Sequence, residues 1–411
     1  MKICVIGSGI SGLSVANMLC AKHDVKVFEK SNQIGGLIKC TRESGNLFHR
    51  VGGHVFNSKN DEVLDWFWSF FDKDEFVGAV RNAKIYLGNK YLDYPIENNL
   101  YKLDKEQVDQ IIKELLEVDK RVTEYKNFED FLKGNFGDTL YELYFGPYNK
   151  KVWNTDLKSI PLDWLEGKLP MPNLIEILSN NILKQKETNM VHASFYYPKN
   201  NGSQFIVDRL SEKLDIETGI NIDDIKKHKS GWLVNNTYFD CVIYTGNIRY
   251  LKPVLQNVEE SVYDVLEATK QFKYNGTSNV LCYTESNDIS WLYFPEASII
   301  PHRIIYTGNF SESNNEGIRK TCVVEFSGEH TEAVIEEELK KMPGNLEPIA
   351  FNYEPYSYVI NSFDTRAVVN TIKEKLEENN MFLLGRFAEW EYYNMDKCIE
   401  AAFKLVEKIN E

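Results

Sequence analysis

Seven cysteines stand singly along the chain, at Cys4, Cys20, Cys40, Cys241, Cys282, Cys322 and Cys398, with no Cys-x-x-Cys pair and no histidine-rich spacing. That excludes a disulfide framework and a zinc site as the basis of the fold, so reduced thiols and no metal are expected. Positive charge is also short: 47 Lys and Arg stand against 61 Asp and Glu, a formal net charge of −14. Such an acidic chain is a poor general binder of nucleic acid or anionic membrane, although a local basic pocket for a phosphate ligand would be hidden in the sum. Long apolar runs are missing, since no window reaches the roughly 18 uninterrupted apolar residues of a membrane span. The opening MKICVIGSGISGLSV is broken by glycines and no small-residue cleavage site follows. It is expected to be a strand and not a signal peptide, and the protein to be cytoplasmic. No internal repeat or low-complexity stretch is evident.

What is present is an ordinary globular composition, 43% hydrophobic and 26% charged over 411 residues. A single core stops growing at roughly 250 to 300 residues, so two to three folding units are expected. Lys2 to Ile6, the helical pattern through Leu13, Ala16 and Leu19, and Val25 to Phe28 read as β-α-β. Asp61 to Phe71 has helical spacing, Lys84 to Tyr94 reads as a hairpin around Gly88-Asn89, and residues 103 to 190 as a mostly helical insertion. Ser203 to Leu214 suggests a helix and Trp232 to Phe239 a strand, while Asp240 to Thr245 suits a parallel strand returning to the first sheet. Residues 279 to 284, 291 to 294, 303 to 307 and 321 to 326 alternate like antiparallel strands, Met381 to Leu384 reads as a last buried strand, and Asp396 to Ile409 as a closing helix.

Gly7-Ser-Gly9-Ile-Ser-Gly12 follows a strand and opens a helix, the setting in which this spacing binds a dinucleotide. Gly7 allows the tight turn, Gly9 lets the backbone approach a pyrophosphate, and Gly12 permits close helix–strand packing, with the helix N-terminus facing the phosphates. Glu29 ends the second strand at a spacing suited to a ribose hydroxyl, and Gly35-Gly36 follows it. This Gly-Gly pair resembles the extended fingerprint of the FAD-binding amine oxidase and glutathione reductase class. Asp240 to Gly246 resembles that class's later strand-turn, and Gly385-Arg386 its C-terminal FAD contact. The fold class expected is α/β, a Rossmann-type FAD-binding domain with a helical insertion and a second, antiparallel-sheet substrate domain. The expected division gives 1–80, 195–265 and 355–411 to the FAD-binding domain, 101–194 to a helical substrate domain, and 81–100 with 266–354 to the antiparallel-sheet substrate domain.

Within that class the chain is similar to the uridine diphosphate (UDP)-galactopyranose mutases over most of its length. Val51-Gly-Gly-His54-Val-Phe56-Asn57-Ser resembles the family's Gly-x-His-x-Phe-His loop beside the flavin, with Asn57 at the second histidine. Tyr148-Asn-Lys-Lys-Val-Trp153 matches a Tyr-x4-Trp element that contacts uridine, with Pro161 keeping the spacing after it, and Ile300-Pro-His-Arg303 resembles the strand whose arginine grips the diphosphate. Tyr353-Glu-Pro-Tyr356-Ser-Tyr358 resembles a Glu-Pro-Tyr-Tyr segment, and Gly385-Arg386-Phe-Ala-Glu389-Trp-Glu-Tyr392-Tyr393-Asn-Met395 parallels the family's flavin-side motif. At the family's second arginine the chain has Lys168-Leu-Pro170, which keeps the charge but not the bidentate fork. Phe195-Tyr-Tyr-Pro198-Lys-Asn-Asn-Gly202 looks more like the eukaryotic mutases and the protoporphyrinogen oxidase relatives.

The resemblance implies a polysaccharide-biosynthesis isomerase that interconverts pyranose and furanose forms of a UDP-linked sugar, reduced FAD acting through N5 as nucleophile at the anomeric carbon. It assigns Arg303, Lys168 and His54 to catalysis. Gly7, Gly9, Gly12, Glu29, Gly35, Gly36, Gly385, Arg386 and Met395 fall to FAD, and Tyr148, Trp153, Tyr356, Tyr392 and Tyr393 to the substrate. Partners implied are a UDP-sugar or similar nucleotide-diphosphate ligand, without nucleic acid or a membrane span; a homodimer is compatible with this. The same fold supports an FAD-dependent oxidoreductase of the amine oxidase or protoporphyrinogen oxidase type, and a flavin-bearing binding protein ranks last. Outside their motifs the named groups have plainer readings: Arg303 as a solvated strand residue, His54 as a backbone-bonded histidine, the large aromatics as core.

Overall fold

The computed structural model describes residues 1–118, 124–165, 173–185 and 193–411. β1 (Lys2–Ile6), α1 (Ile10–Leu19) and β2 (Asp24–Glu29) form the expected β-α-β start of a parallel sheet. Its order is Met381–Leu383, Cys241–Tyr244, β1, β2, Asp215–Thr218, all parallel. Alternation along β1 sends Ile3 and Val5 to one face, against Val15, Leu19 and the closing helix Met395–Asn410 through Ala402 and Leu405. Cys4 and Ile6 go to the other, against Trp232, Phe239 and the helix Thr365–Glu377 through Val369 and Ile372. A strand covered on both faces needs an apolar run, which is why Cys241–Tyr244 and Met381–Leu383 carry no charged residue.

The covering layer on the second face is a four-stranded sheet, and it corrects one expectation. Residues 232 to 239 are not one strand: Gly231–Val234 and Thr237–Phe239 form a hairpin whose turn, Asn235-Asn236, has positive φ at both positions. Asparagine tolerates the left-handed region, and two in succession give the turn that matches strand twist.

The third layer is a seven-stranded, mainly antiparallel sheet in the order Glu347–Ile360, Lys273–Thr284, Lys320–Ser327, Arg303–Ile305, Trp291–Tyr293, Ala83–Leu87, Lys90–Asp93. The hairpin around Gly88-Asn89 is its far edge, entering by a parallel pairing of Ala83–Leu87 with Trp291–Tyr293. Its other edge, Glu347–Ile360, contains Pro348 and Pro355, which a strand tolerates at an edge. The described part of the helical region, Lys105–Glu117, Phe128–Leu140, Gly146–Trp153 and Leu174–Leu183, packs on this sheet. Phe128, Leu132, Phe136 and Trp153 share one core with Ile85, Tyr293 and Ile305. The resulting architecture is the α/β fold expected, with a parallel Rossmann-like sheet and separate antiparallel sheets. Among the described residues no helix is long and apolar enough to cross a membrane.

The glycine that locks α1 to β1 can be tested directly. A Cβ at Gly12 would lie 2.0 Å from the Gly7 carbonyl oxygen, whereas one at exposed Gly78 would meet nothing within 4 Å. Gly12→Ala is expected to cost more than about 2 kcal/mol in urea unfolding. Gly78→Ala should stay within about 0.5 kcal/mol; equal effects would contradict the packing account.

Candidate functional site

The parallel sheet's C-terminal edge and the antiparallel sheet face each other across one continuous cavity of about 830 Å³, inside the roughly 300–1,000 Å³ range of ligand and cofactor pockets. At its first end the wall is backbone. Gly7 leaves β1 at φ +106, and a Cβ there would sit 2.3 Å from Thr245 Oγ1 on the returning strand-turn. Gly35 and Gly36 have φ +121 and +55, and a Cβ on Gly36 would lie 3.2 Å from the Gly9 Cα. A Cβ on Gly9 would find nothing closer than 3.8 Å, so it would project into the cavity. α1 begins there with no side-chain cap and no acidic residue in its first turn, leaving its N-terminal amides for an anion.

Glu29 is fixed by three donors: the Ser8 amide (2.9 Å) and hydroxyl (2.8 Å) on one carboxylate oxygen, and the Ser31 amide (2.9 Å) on the other. The oxygen bonded only to the Ser31 amide keeps a lone pair for a ribose hydroxyl. Gly385, at φ +99, lies against Ser11 and donates its amide to Glu389 (2.9 Å). Gly12 and Gly385 are packing positions behind the lining, while Gly7, Gly9, Glu29, Gly35, Gly36 and Met395 line it. Arg386 also lines the cavity, but its guanidinium is engaged by the backbone oxygens of Ser357 (3.0 Å) and Tyr393 (3.0 Å) and stacks over Tyr392. A glycine cradle, an uncapped helix terminus and an anchored ribose acceptor fit FAD at this end.

The second end is built from side chains in one transverse row of the antiparallel sheet. Tyr293 lies opposite Arg303, Arg303 opposite Glu325, Glu325 opposite Asn279, and Asn279 opposite Asn352. Directly opposed residues share a face, so five polar groups project together. Glu325 is 2% exposed and accepts from Arg303 (2.8 Å), His302 (2.9 Å) and Tyr358 (2.8 Å). Burial pushes its carboxyl pKa up, but the Arg303 and His302 charges and hydrogen bonds outweigh that and hold it well below the usual carboxylate range. Burial works against the Arg303 charge as well, and Glu325 more than restores it. Arg303 is therefore no solvated strand residue: Nε and Nη2 serve Glu325 and Tyr358, and Nη1 is in none of these bonds.

The same row suspends the loop carrying His54. Asn279 accepts the Gly52 amide (2.9 Å), and Asn352 exchanges bonds with the Arg50 side chain (3.0 Å) and carbonyl (2.7 Å). Gly52, at φ +64, passes so close that a Cβ would lie 2.8 Å from Glu325. His54 lines the cavity, and its Nε2 is buried without a hydrogen-bond partner. Burial, the nearby Arg386 charge and a smaller opposing hold from the Val51 backbone leave its pKa lowered to about 4. It is a neutral imidazole with a free ring nitrogen, only half matching the backbone-bonded reading.

Tyr356, Tyr392 and Tyr393 line the cavity too. Tyr148 and Trp153 stand one layer behind: Tyr148 packs edge-on to Tyr293 at 5.4 Å, and Trp153 backs Tyr392 at 5.7 Å and Tyr358 at 6.1 Å. For these two the core-packing reading describes the contacts. Lys168 lies outside the described residues. Sequence reasoning missed Glu325, Arg81, Tyr293 and Lys39, all on the wall. Glu325 had a usable signal, since a lone acid inside Cys-Val-Val-Glu-Phe must be paired if the strand is buried. Arg81 had none.

Comparison with known proteins follows the same lines. Residues 5–73 match the model of an NAD(P)-binding Rossmann-like domain. The chain is 22% identical to a UDP-galactopyranose mutase of Mycoplasma genitalium, covering 99% of this chain and 94% of that one. It is also 22% identical to a dTDP-fucopyranose mutase of Escherichia coli, over 99% and 97%. A crystal structure of reduced UDP-galactopyranose mutase superposes with a TM-score of 0.88 at 21% identity, over 99% and 93%. A putative protoporphyrinogen oxidase from Exiguobacterium sp. 255-15 does so with 0.76 at 14%, over 99% and 98%. These likenesses show the fold, and the similarity to the mutases, first visible in scattered motifs, runs the full length of the chain.

The histidine makes a pH prediction. A folded pKa of about 4 against the ordinary 6.5 means that the unfolded chain takes up the proton first. Stability is unaffected above that ordinary value and falls as pH drops from it toward the folded one. His54→Gln is expected to show a smaller fall in melting temperature than the parent between about pH 7 and about pH 5. Equal falls would contradict the assignment.

Proposed function

We propose that the protein is a flavin-dependent nucleotide-sugar mutase, an isomerase that interconverts pyranose and furanose forms of a UDP-linked sugar. The observation that carries this reading is the pairing of two ends in one cavity: a backbone cradle suited to FAD, and a largely buried arginine on the wall, ion-paired to Glu325. Full-length similarity to a UDP-galactopyranose mutase and a dTDP-fucopyranose mutase supports it.

Bound and reduced, FAD supplies the nucleophile, through N5, for the sugar's anomeric carbon. The chain's own residues handle the rest. Gly7, Gly9, Gly35 and Gly36 admit the pyrophosphate, with Gly12 and Gly385 allowing that backbone path; Glu29 takes the ribose, and Arg386 and Met395 shape the flavin side. Arg303 stabilises the negative charge that develops on the departing diphosphate, in a site where low polarity strengthens each charge. Glu325 and Tyr358 orient the guanidinium beforehand, so no reorganisation is needed when the bond breaks. His54 Nε2 is an acceptor for a flavin N–H or a sugar hydroxyl. Tyr356, Tyr392 and Tyr393 wall the sugar from water, and Tyr148 and Trp153 hold that wall in place. An oxidoreductase acting on an apolar donor has no use for a buried guanidinium at this point.

Reduced holoenzyme incubated with UDP-galactopyranose is expected to give a chromatographically separable furanose isomer, and oxidised enzyme none. Arg303→Lys keeps Glu325 paired but loses the fork, and should lower kcat/KM by about 10- to 100-fold with FAD content unchanged. No isomer from any UDP or dTDP sugar, with no nucleotide binding, would overturn the proposal.

A further inference from the structure

Besides Arg303 and the backbone-bound Arg386, the cavity wall contains a third guanidinium, that of Arg81. Arg81 lies just ahead of Ala83–Leu87, beside Trp291–Tyr293. Its guanidinium carbon is 5.0 Å from the ring centres of Tyr94 and Trp291 and 5.9 Å from that of Tyr293. Nη2 donates to the Tyr293 hydroxyl, while Nε is buried without a partner. Its electrostatic neighbours are tyrosines, and among the described residues no carboxylate pairs with it. An arginine held by rings is oriented but not neutralised, and it cannot shed its proton. A cation in this state calls for an anionic ligand group. Tyr293, directly opposite Arg303 on the ladder, shares its face and so stands between the two guanidinium groups.

We propose that Arg81 is the second cation of the diphosphate site, binding the substrate's nucleoside diphosphate together with Arg303, with Tyr293 as its positioning residue. The inference rests on the mutase reading above. It moves to Arg81 the role that motif comparison attached to Lys168, and it supplies the planar fork that a lysine lacks.

Equilibrium binding of UDP and of uridine to reduced holoenzyme tests it, with flavin absorbance recorded for each variant. Arg81→Met is expected to weaken UDP by about 10- to 100-fold, the loss of a charge-assisted contact, and to leave uridine unchanged. Arg81→Lys should fall between, and Tyr293→Phe, which removes only the hydroxyl holding Nη2, should cost UDP severalfold and uridine nothing. If Arg81→Met does not retain flavin, the lysine and phenylalanine variants decide by the same criterion. UDP binding unchanged in the Arg81 variants but lost in Arg303→Lys would overturn this proposal and leave the mutase reading standing. Equal losses for UDP and uridine would also overturn it, as the mark of a structural role. Failure of the parent protein to bind any nucleoside diphosphate would remove the mutase reading itself.

Discussion

The site depends on the ion pair between Arg303 and Glu325. A carboxylate that is 2% exposed in the middle of an apolar strand survives only if its charge is matched. Here Arg303 matches it, and His302 and Tyr358 add hydrogen bonds from two further sides. Removing one partner of such a buried pair costs about 3–5 kcal/mol, because the other charge is left stranded. The pair does more than persist. It fixes the direction of a guanidinium at the cavity wall, and Gly52 must pass without a side chain to clear it. The loop that bears His54 therefore takes its path from the same row of residues.

Two kinds of recognition meet in this cavity, and each uses the chemistry its layer can supply. The parallel sheet ends in loops where glycines bring backbone close to a ligand, and a helix N-terminus offers amides without any fixed charge. The antiparallel sheet has side chains standing off one face in register, so it can build a charged, desolvated patch whose members hold one another. A cofactor with a pyrophosphate suits the first surface. A ligand whose diphosphate becomes a leaving group suits the second, where a preformed cation lowers the barrier to separation.

Local signals were legible in the sequence and cross-strand ones were not. Gly7, Gly9, Gly12, Glu29 and the Gly35-Gly36 pair lie within thirty residues and are constrained by one turn–helix unit, so spacing alone located the cradle. Arg303 was found only through its motif. Its partner Glu325 lies 22 positions away, and the row joining Tyr293, Arg303, Glu325, Asn279 and Asn352 exists only once five strands have their register. The Asn235-Asn236 turn was missed because its strands are short and the apolar pattern continues across it. The long strand Glu347–Ile360 was masked by its two prolines, which read as interruptions until its place at the sheet edge is known. Tyr148 and Trp153 show the converse, where a matched motif pointed to the right region but to the layer behind the wall.

Under the proposed function, this cavity breaks and remakes the bond between a sugar and a diphosphate with no net oxidation. This is tested most directly by following an oxygen isotope placed in the bridging position of UDP-galactose. On reduced enzyme the account predicts that the label scrambles into the non-bridging positions of the β-phosphate, because the diphosphate is released and recaptured within the site. A label that stays in place, together with bleaching of the oxidised flavin by substrate under anaerobic conditions, would contradict it.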